Sequence, residues 1–174
     1  MAKNCLNKLA SNITVGCTIP RVGVKDIYIM HTEDVTFTSY SDGQVRSVVF
    51  AEGAKSYKVE GYKQNIQVTA SLKTTDASAR IDQSVTFKVP YVYRNHVFLN
   101  TLASGKFCVL VAFNEGDFSM LGTASPLECS SADFDSNASA KMVTITLSSP
   151  EGSAGNHVRS ADVAVADTII SKSV

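Results

Sequence analysis

Two runs decide the fold: Asn65-Ile66-Gln67-Val68-Thr69-Ala70-Ser71-Leu72-Lys73 and Ile81-Asp82-Gln83-Ser84-Val85-Thr86-Phe87-Lys88-Val89. In the first, Ile66, Val68, Ala70 and Leu72 alternate with Asn65, Gln67, Thr69, Ser71 and Lys73. In the second, Ile81, Val85, Phe87 and Val89 alternate with Asp82, Ser84, Thr86 and Lys88. A period of two marks strands with one buried face. With residues 74–80 as the connecting loop, the runs read as one long hairpin. A ten-residue strand spans roughly 33 Å at ~3.3 Å per residue, longer than the usual strand of about five or six residues. Its far end is therefore expected to project beyond its own subunit. The outward face is made mostly of small uncharged polar side chains, a composition that suits the wall of a water-filled channel. The plainer reading is an ordinary hairpin with one wet face.

Outward from this hairpin, residues 55–60 lead into the first run with Tyr57 and Val59 inward. The apolar phase switches beside Gly61, which predicts a β-bulge in one continuous strand. Strands are expected at 24–30 and, after the turn signal Ser41-Asp42-Gly43, at 45–50. Pro90 ends the hairpin, since proline lacks the N–H a ladder needs. A helix is predicted over 94–104, where Phe98 and Leu102 stand at i and i+4 and Gly105 occupies the place of a left-handed C-terminal residue. Residues 106–113 are apolar on both faces and read as a central buried strand. Asn114-Glu115-Gly116-Asp117 turns the chain into a strand at 118–122, and strands at 127–130 and 142–148 complete the sheets. Residues 150–156 read as loop, and 162–170 as a closing strand or a tail segment that docks elsewhere. With about seven to nine strands and one short helix, the fold class is mainly β, a β-sandwich or partly closed barrel. The expected division is an N-terminal arm (1–22), a β domain (23–148) and a C-terminal loop and docking segment (149–174).

The chain has 174 residues with 44% hydrophobic and 18% charged side chains, enough for one domain with a real core. Formal net charge is zero, so the basic surplus of a dedicated nucleic-acid-binding module is absent. Residues 1–111 hold more Lys and Arg than Asp and Glu, and residues 112–174 the reverse. Cys5, Cys17, Cys108 and Cys129 are too far apart for a metal or redox motif, and Cys108 reads as a buried thiol. The opening residues lack the apolar block of a signal peptide, and no run approaches the ~20 apolar residues of a membrane span. A soluble product made in a cytoplasm is expected.

The search for chemistry returns no catalytic constellation. His31, His96 and His157 lie apart along the chain and read as structural or solvated side chains. No metalloprotease, nucleophile-elbow, phosphate-loop or dinucleotide motif is present. Asp133 and Asp135 alternate as in part of a calcium loop, but the glycine and the bidentate acid are missing, so a solvated acidic turn is the reading. Tyr57, Tyr62, Tyr91 and Tyr93 could form a stacking platform, yet without tryptophan packing accounts for them better. No enzyme activity, cofactor or metal is expected.

In this order of elements the chain resembles the tail-tube and related ring proteins of tailed bacteriophages, of the type found in Bacteroidales phages. The resemblance covers residues 23–148. It is carried by the opening strand Gly23-Val24-Lys25-Asp26-Ile27-Tyr28-Ile29, the long hairpin to Pro90, the helix at 94–104, the buried strand 107–113, and the strands Phe118-Ser119-Met120-Leu121-Gly122 and Met142-Val143-Thr144-Ile145-Thr146-Leu147. It implies a non-enzymatic virion protein whose copies join edge to edge in a ring, usually a hexamer, that carries the genome. Asn65, Gln67, Thr69, Ser71, Lys73, Asp82, Ser84, Thr86 and Lys88 would line the channel, with Thr74, Thr75, Asp76 and Arg80 at the subunit interface. Lys63, Lys73 and Lys88 share that face with Asp82 alone, which calls for acids from a neighbour. The implied partners are copies of the chain, other tail or connector proteins, and DNA in transient non-specific contact; the implied location is the virion tail. The alternatives are another virion part of similar build (a tail adaptor, terminator or capsid decoration protein) and a β-sandwich carbohydrate-binding module.

Overall fold

The alternating runs at 66–75 and 78–90 fold as an antiparallel pair around which the remaining strands are arranged. The computed structural model describes residues 23–41, 43–61, 65–75, 78–91, 95–134, 142–150 and 159–174; the expected arm at 1–22 lies outside them. The order is β1 (Val24–His31), a 3-10 turn (Thr32–Asp34), β2 (Val35–Ser41), β3 (Gln44–Phe50), β4 (Tyr57–Glu60), β5 (Ile66–Thr75), β6 (Ser78–Pro90), α1 (His96–Leu102), β7 (Lys106–Phe113), β8 (Phe118–Leu121), β9 (Leu127–Phe134), β10 (Met142–Ser148), β11 (Arg159–Ala161) and α2 (Val163–Ser171). The fold is mainly β, as the alternation requires.

β7 is the central buried strand. It pairs along one edge with β1, and on the other first with β9 through Lys106 and Phe107 and then with β8 from Val109 to Ala112. Beyond Glu128, β9 runs along β10 instead. The sheet turns a corner there, and β9-β10-β6-β5 forms a second layer. Between the layers lies one core, with Ile27 and Ile29 of β1, Phe107, Val109 and Val111 of β7, Val85 and Phe87 of β6, and Ile145 and Leu147 of β10. The alternate residues of the central strands, Tyr28, Met30, Cys108 and Leu110, face a second core closed by β2, β3, β11 and α2. Burial of each large apolar side chain contributes about 1.5–3 kcal/mol.

The sandwich stops short of a closed barrel. β4 pairs with β1 and β5 with β6, and between them opens a cleft of about 580 Å³ lined in part by Tyr57, Glu60, Asn65, Lys88 and Pro90. Asn65 Nδ2 spans it, donating to the carbonyls of Glu60 (3.5 Å) and Lys88 (3.4 Å).

Several expectations are corrected. Residues 55–60 and the first hairpin run are two strands of different layers, not one bulged strand. Gly61 stands at the departure point because its N–H donates to Lys25 O at 2.8 Å and a Cβ there would overlap that oxygen. Tyr57 is only partly inward and is 38% exposed. β2 is not among the expected strands, although Val35-Thr36-Phe37 alternates; it pairs antiparallel with β3. The hairpin ladder runs on to the pair Thr75↔Ser78, so most of the predicted loop at 74–80 is strand. The helix is shorter than 94–104, and Gly105 is not left-handed: it is small because a Cβ would overlap the Phe107 ring. The segment at 162–170 is a second helix, α2, whose Val165, Ala166 and Ile169 are buried.

Candidate functional site

Strands β5, β6, β10 and β9 place their inward residues on the first core and expose one continuous polar face. The register lays that face out in rows. Gln67, Thr86, Thr146 and Ser131 form one row, and Thr69, Ser84, Ser148 and Glu128 the next. Lys88, Thr144 and Asp133 form a third, and Ser71 stands opposite Asp82 nearer the hairpin end. Hydroxyls tie the strands laterally: Thr69 Oγ1 and Ser84 Oγ lie 2.6 Å apart, Thr86 Oγ1 and Thr146 Oγ1 3.1 Å, and Ser130 Oγ donates to Thr146 O at 3.1 Å. A shallow groove of about 380 Å³ runs over Thr69, Ser71, Lys73, Asp82, Ser84 and Ser148.

Eight of the nine sequence-assigned channel positions therefore share this face: Gln67, Thr69, Ser71, Lys73, Asp82, Ser84, Thr86 and Lys88. Asn65 does not; it bridges the cleft between β4 and β6. Reasoning on the hairpin alone missed the acids that β9 adds, Glu128 and Asp133, together with Thr144, Thr146 and Ser131. Glu128 Oε1 lies 3.8 Å from Lys106 Nζ. Asp133 sits on a strand, not in an acidic turn, and Asp135 lies outside the described residues.

Among the described residues, both edges of this four-stranded layer are open: β5 has β6 on one side and no partner strand on the other, and beyond Glu128 β9 pairs only with β10. The apolar face of the hairpin changes character along its length. Ile66, Val85 and Phe87 are buried at its base, whereas Ala70 is exposed and Leu72 is 67% exposed, with Ile81 paired beside it. Of the interface candidates, Thr74 is an exposed residue of β5, and Thr75 and Arg80 take register positions opposite Ser78 and Lys73. Asp76 lies outside the described residues.

At the other end of β6, α1 covers the core with Phe98, Leu99 and Leu102. Between α1 and the central strands is an aromatic pocket of about 280 Å³, walled by Ile29, His31, Tyr57, Phe98, Leu102 and Phe107 and rimmed by Val97 and Thr101. The His31 ring lies tilted against Phe107 with centroids 5.0 Å apart, and Tyr57 meets it edge-on at 6.5 Å. This packing accounts for His31 and Tyr57. Tyr91 lies against Phe134 at 4.4 Å and against His96 at 4.9 Å, so its ring is engaged by neighbours; Tyr62, Tyr93 and His157 fall outside the described residues.

A charged clamp lies between β1 and β4. Asp26, nearly buried, accepts the Gly61 N–H at 3.3 Å and lies 3.5 Å from Lys58 Nζ, which also meets Glu60 at 3.2 Å. Burial opposes the charge on Lys58, but its hydrogen bond to Glu60 and the Asp26 charge outweigh that and raise its pKa. The same burial raises the Tyr28 hydroxyl. The clamp fastens β4 to β1. Among the described residues no group of three or more His, Cys, Asp or Glu side chains could hold a metal ion, and no helix is long and apolar enough to cross a membrane. No family description, curated protein or solved structure matches this chain.

Proposed function

We propose that this chain is a structural virion protein of a bacteriophage tail, without catalytic activity, that assembles into a ring whose polar sheet face lines a channel for the genome. The observation that carries the reading is the four-stranded layer: polar with charges of both signs on one face, packed on its own core on the other, and, among the described residues, unpaired at both edges. Exposed edges invite further strand pairing, and a closed ring uses that tendency without leaving an edge free. Joining the β5 edge of one copy to the β9 edge of the next continues the sheet around the ring. A hexamer, the number the resemblance implies, joins about 24 strands, and at ~4.8 Å between strands tilted by ~40° the backbone circle is roughly 48 Å across.

The face suits passage without retention. Its lysines, Lys73 and Lys88, are set among hydroxyls and balanced by Asp82, Glu128 and Asp133, so few phosphate contacts form at once. The acids that a neighbour was expected to supply are in part supplied by β9 of the same chain. Other tail or connector proteins meet the ring at its two rims. A terminator or adaptor of the same build would form one ring and stop.

Light scattering on the purified protein, with negative-stain images of the same sample, tests the reading. Rings or tubes with a central hole are expected. A protein that stays monomeric at high concentration contradicts it.

A further inference from the structure

The two cores share the central strands β1 and β7 but are closed by different elements. α1 and the outer layer close the first, and no residue of 159–174 enters it. β2, β3, β11 and α2 close the second, where Ala161, Val165, Ala166 and Ile169 supply the C-terminal share. From this division we infer that residues 159–174 form a releasable strap. It docks as β11 and α2, is latched by Ser56, and undocks together with the β2–β3 hairpin while the first core stays folded. The strap is no part of the four-stranded polar layer, so the inference stands apart from the channel reading.

β11 is three residues long. It lies parallel to β3 through Ser160↔Gln44 and Ala161↔Val45, and antiparallel to β8 through Arg159↔Met120 and Ser160↔Ser119. Among the described residues, β2 pairs only with β3, and β3 only with β2 and β11. The β2–β3 hairpin is thus joined to the sheet through β11. Withdrawing β11 breaks that join, whereas the ladders of β7 with β1, β8 and β9 do not pass through it. Neither do the ladders of the outer layer.

The sequence of α2 makes its helix depend on docking. Nine residues are too few for a stable isolated helix, and Val163, Val165, Thr168, Ile169 and Ile170 are β-branched. Asp162 at the N-cap makes no side-chain capping bond, and the last turn holds no basic residue to meet the helix dipole. Helix formation and docking against β3 are therefore one event. Ser56, fully buried just before β4, holds the far end. Its N–H donates to Lys172 O at 3.1 Å, its Oγ donates to Ile169 O at 2.7 Å, and its carbonyl accepts the Val174 N–H at 3.1 Å.

Cys108, fully buried in the second core, reports the release, because its thiol meets reagent only when that core opens. The test alkylates the full-length protein with iodoacetamide across a denaturant series and reads Cys108 by mass spectrometry. Cys108 is expected to react about tenfold or more faster than global unfolding allows, with a weaker dependence on denaturant. Ile169→Ala should speed the reaction by about tenfold or more, and Ser56→Ala by several-fold. Ile145→Val, in the first core, should lower global stability and leave the reaction of Cys108 through the local opening unchanged. A thiol that reacts only at the rate of global unfolding, in wild type and in both strap variants, overturns the strap. Acceleration by Ile145→Val equal to that by Ile169→Ala also overturns it, since the two cores would then open as one unit.

Discussion

Gln83 occupies a position that the alternation of β6 reserves for an apolar side chain, and it is only 1% exposed. Its Oε1 accepts the Gly122 N–H at 2.9 Å, where the chain turns from β8 into β9 with a positive φ of 75°. The interior thus keeps one amide because a buried corner needs an acceptor. Gln83→Met, similar in shape, leaves that N–H unpaired and should lower stability by about 1–3 kcal/mol, read from the denaturant midpoint. Nothing near residue 83 announces this role, since the partner is 39 positions away in sequence. Cys108, by contrast, was legible as a buried thiol. Burial pushes its pKa up from an ordinary 9.0 to about 12. The unfolded chain ionises first, so this thiol's contribution is fully present below pH 9 and is lost as pH rises from 9 towards about 12. Stability should fall by about 1 kcal/mol between pH 8 and pH 10, and Cys108→Ala should flatten that slope in paired denaturation curves.

At the scale of elements, the hairpin is two structures end to end: a core strand pair at its base and an amphipathic projection beyond it. Phe87, fully buried at the base, should cost about 3–5 kcal/mol on truncation to Ala. Leu72→Asp on the same face should move the unfolding midpoint of the monomer by no more than about 0.5 kcal/mol. Equal losses at both positions would mean that the projection is packed in the monomer. The hairpin, the central strand at 106–113 and the last strand at 142–148 were legible because their period of two, or apolar run, follows directly from which faces are buried. α2 was not. Val163, Val165, Thr168, Ile169 and Ile170 are β-branched and read equally well as a strand. Their helix is decided by the second core, where Val165, Ala166 and Ile169 fill one stripe, and by Ser56, whose Oγ donates to Ile169 O at 2.7 Å. The split between β4 and β5 was hidden for the same reason: which layer a strand joins depends on partners far along the chain.

At the scale of the molecule, the central strands are buried on both faces, and among the described residues the outer layer β9-β10-β6-β5 is left with a polar face and two open edges. β9 is the hinge of this arrangement, because Leu127 and Glu128 belong to the β7 ladder and the strand from Glu128 onward to β10. The hairpin half of the candidate surface could be read from alternation alone. The half on β9 and β10 required the topology, which places Asp133 beside Thr144 and so across from Lys88. The central claim is that copies join through the β5 and β9 edges. Amide hydrogen exchange, compared between assembled particles and the dissociated chain, tests it most directly. The account predicts slowed exchange on assembly at residues 66–75 and 130–134 together, with the β6 and β10 interior already slow in the dissociated chain. Particles in which both edges exchange as fast as in the dissociated chain would contradict it.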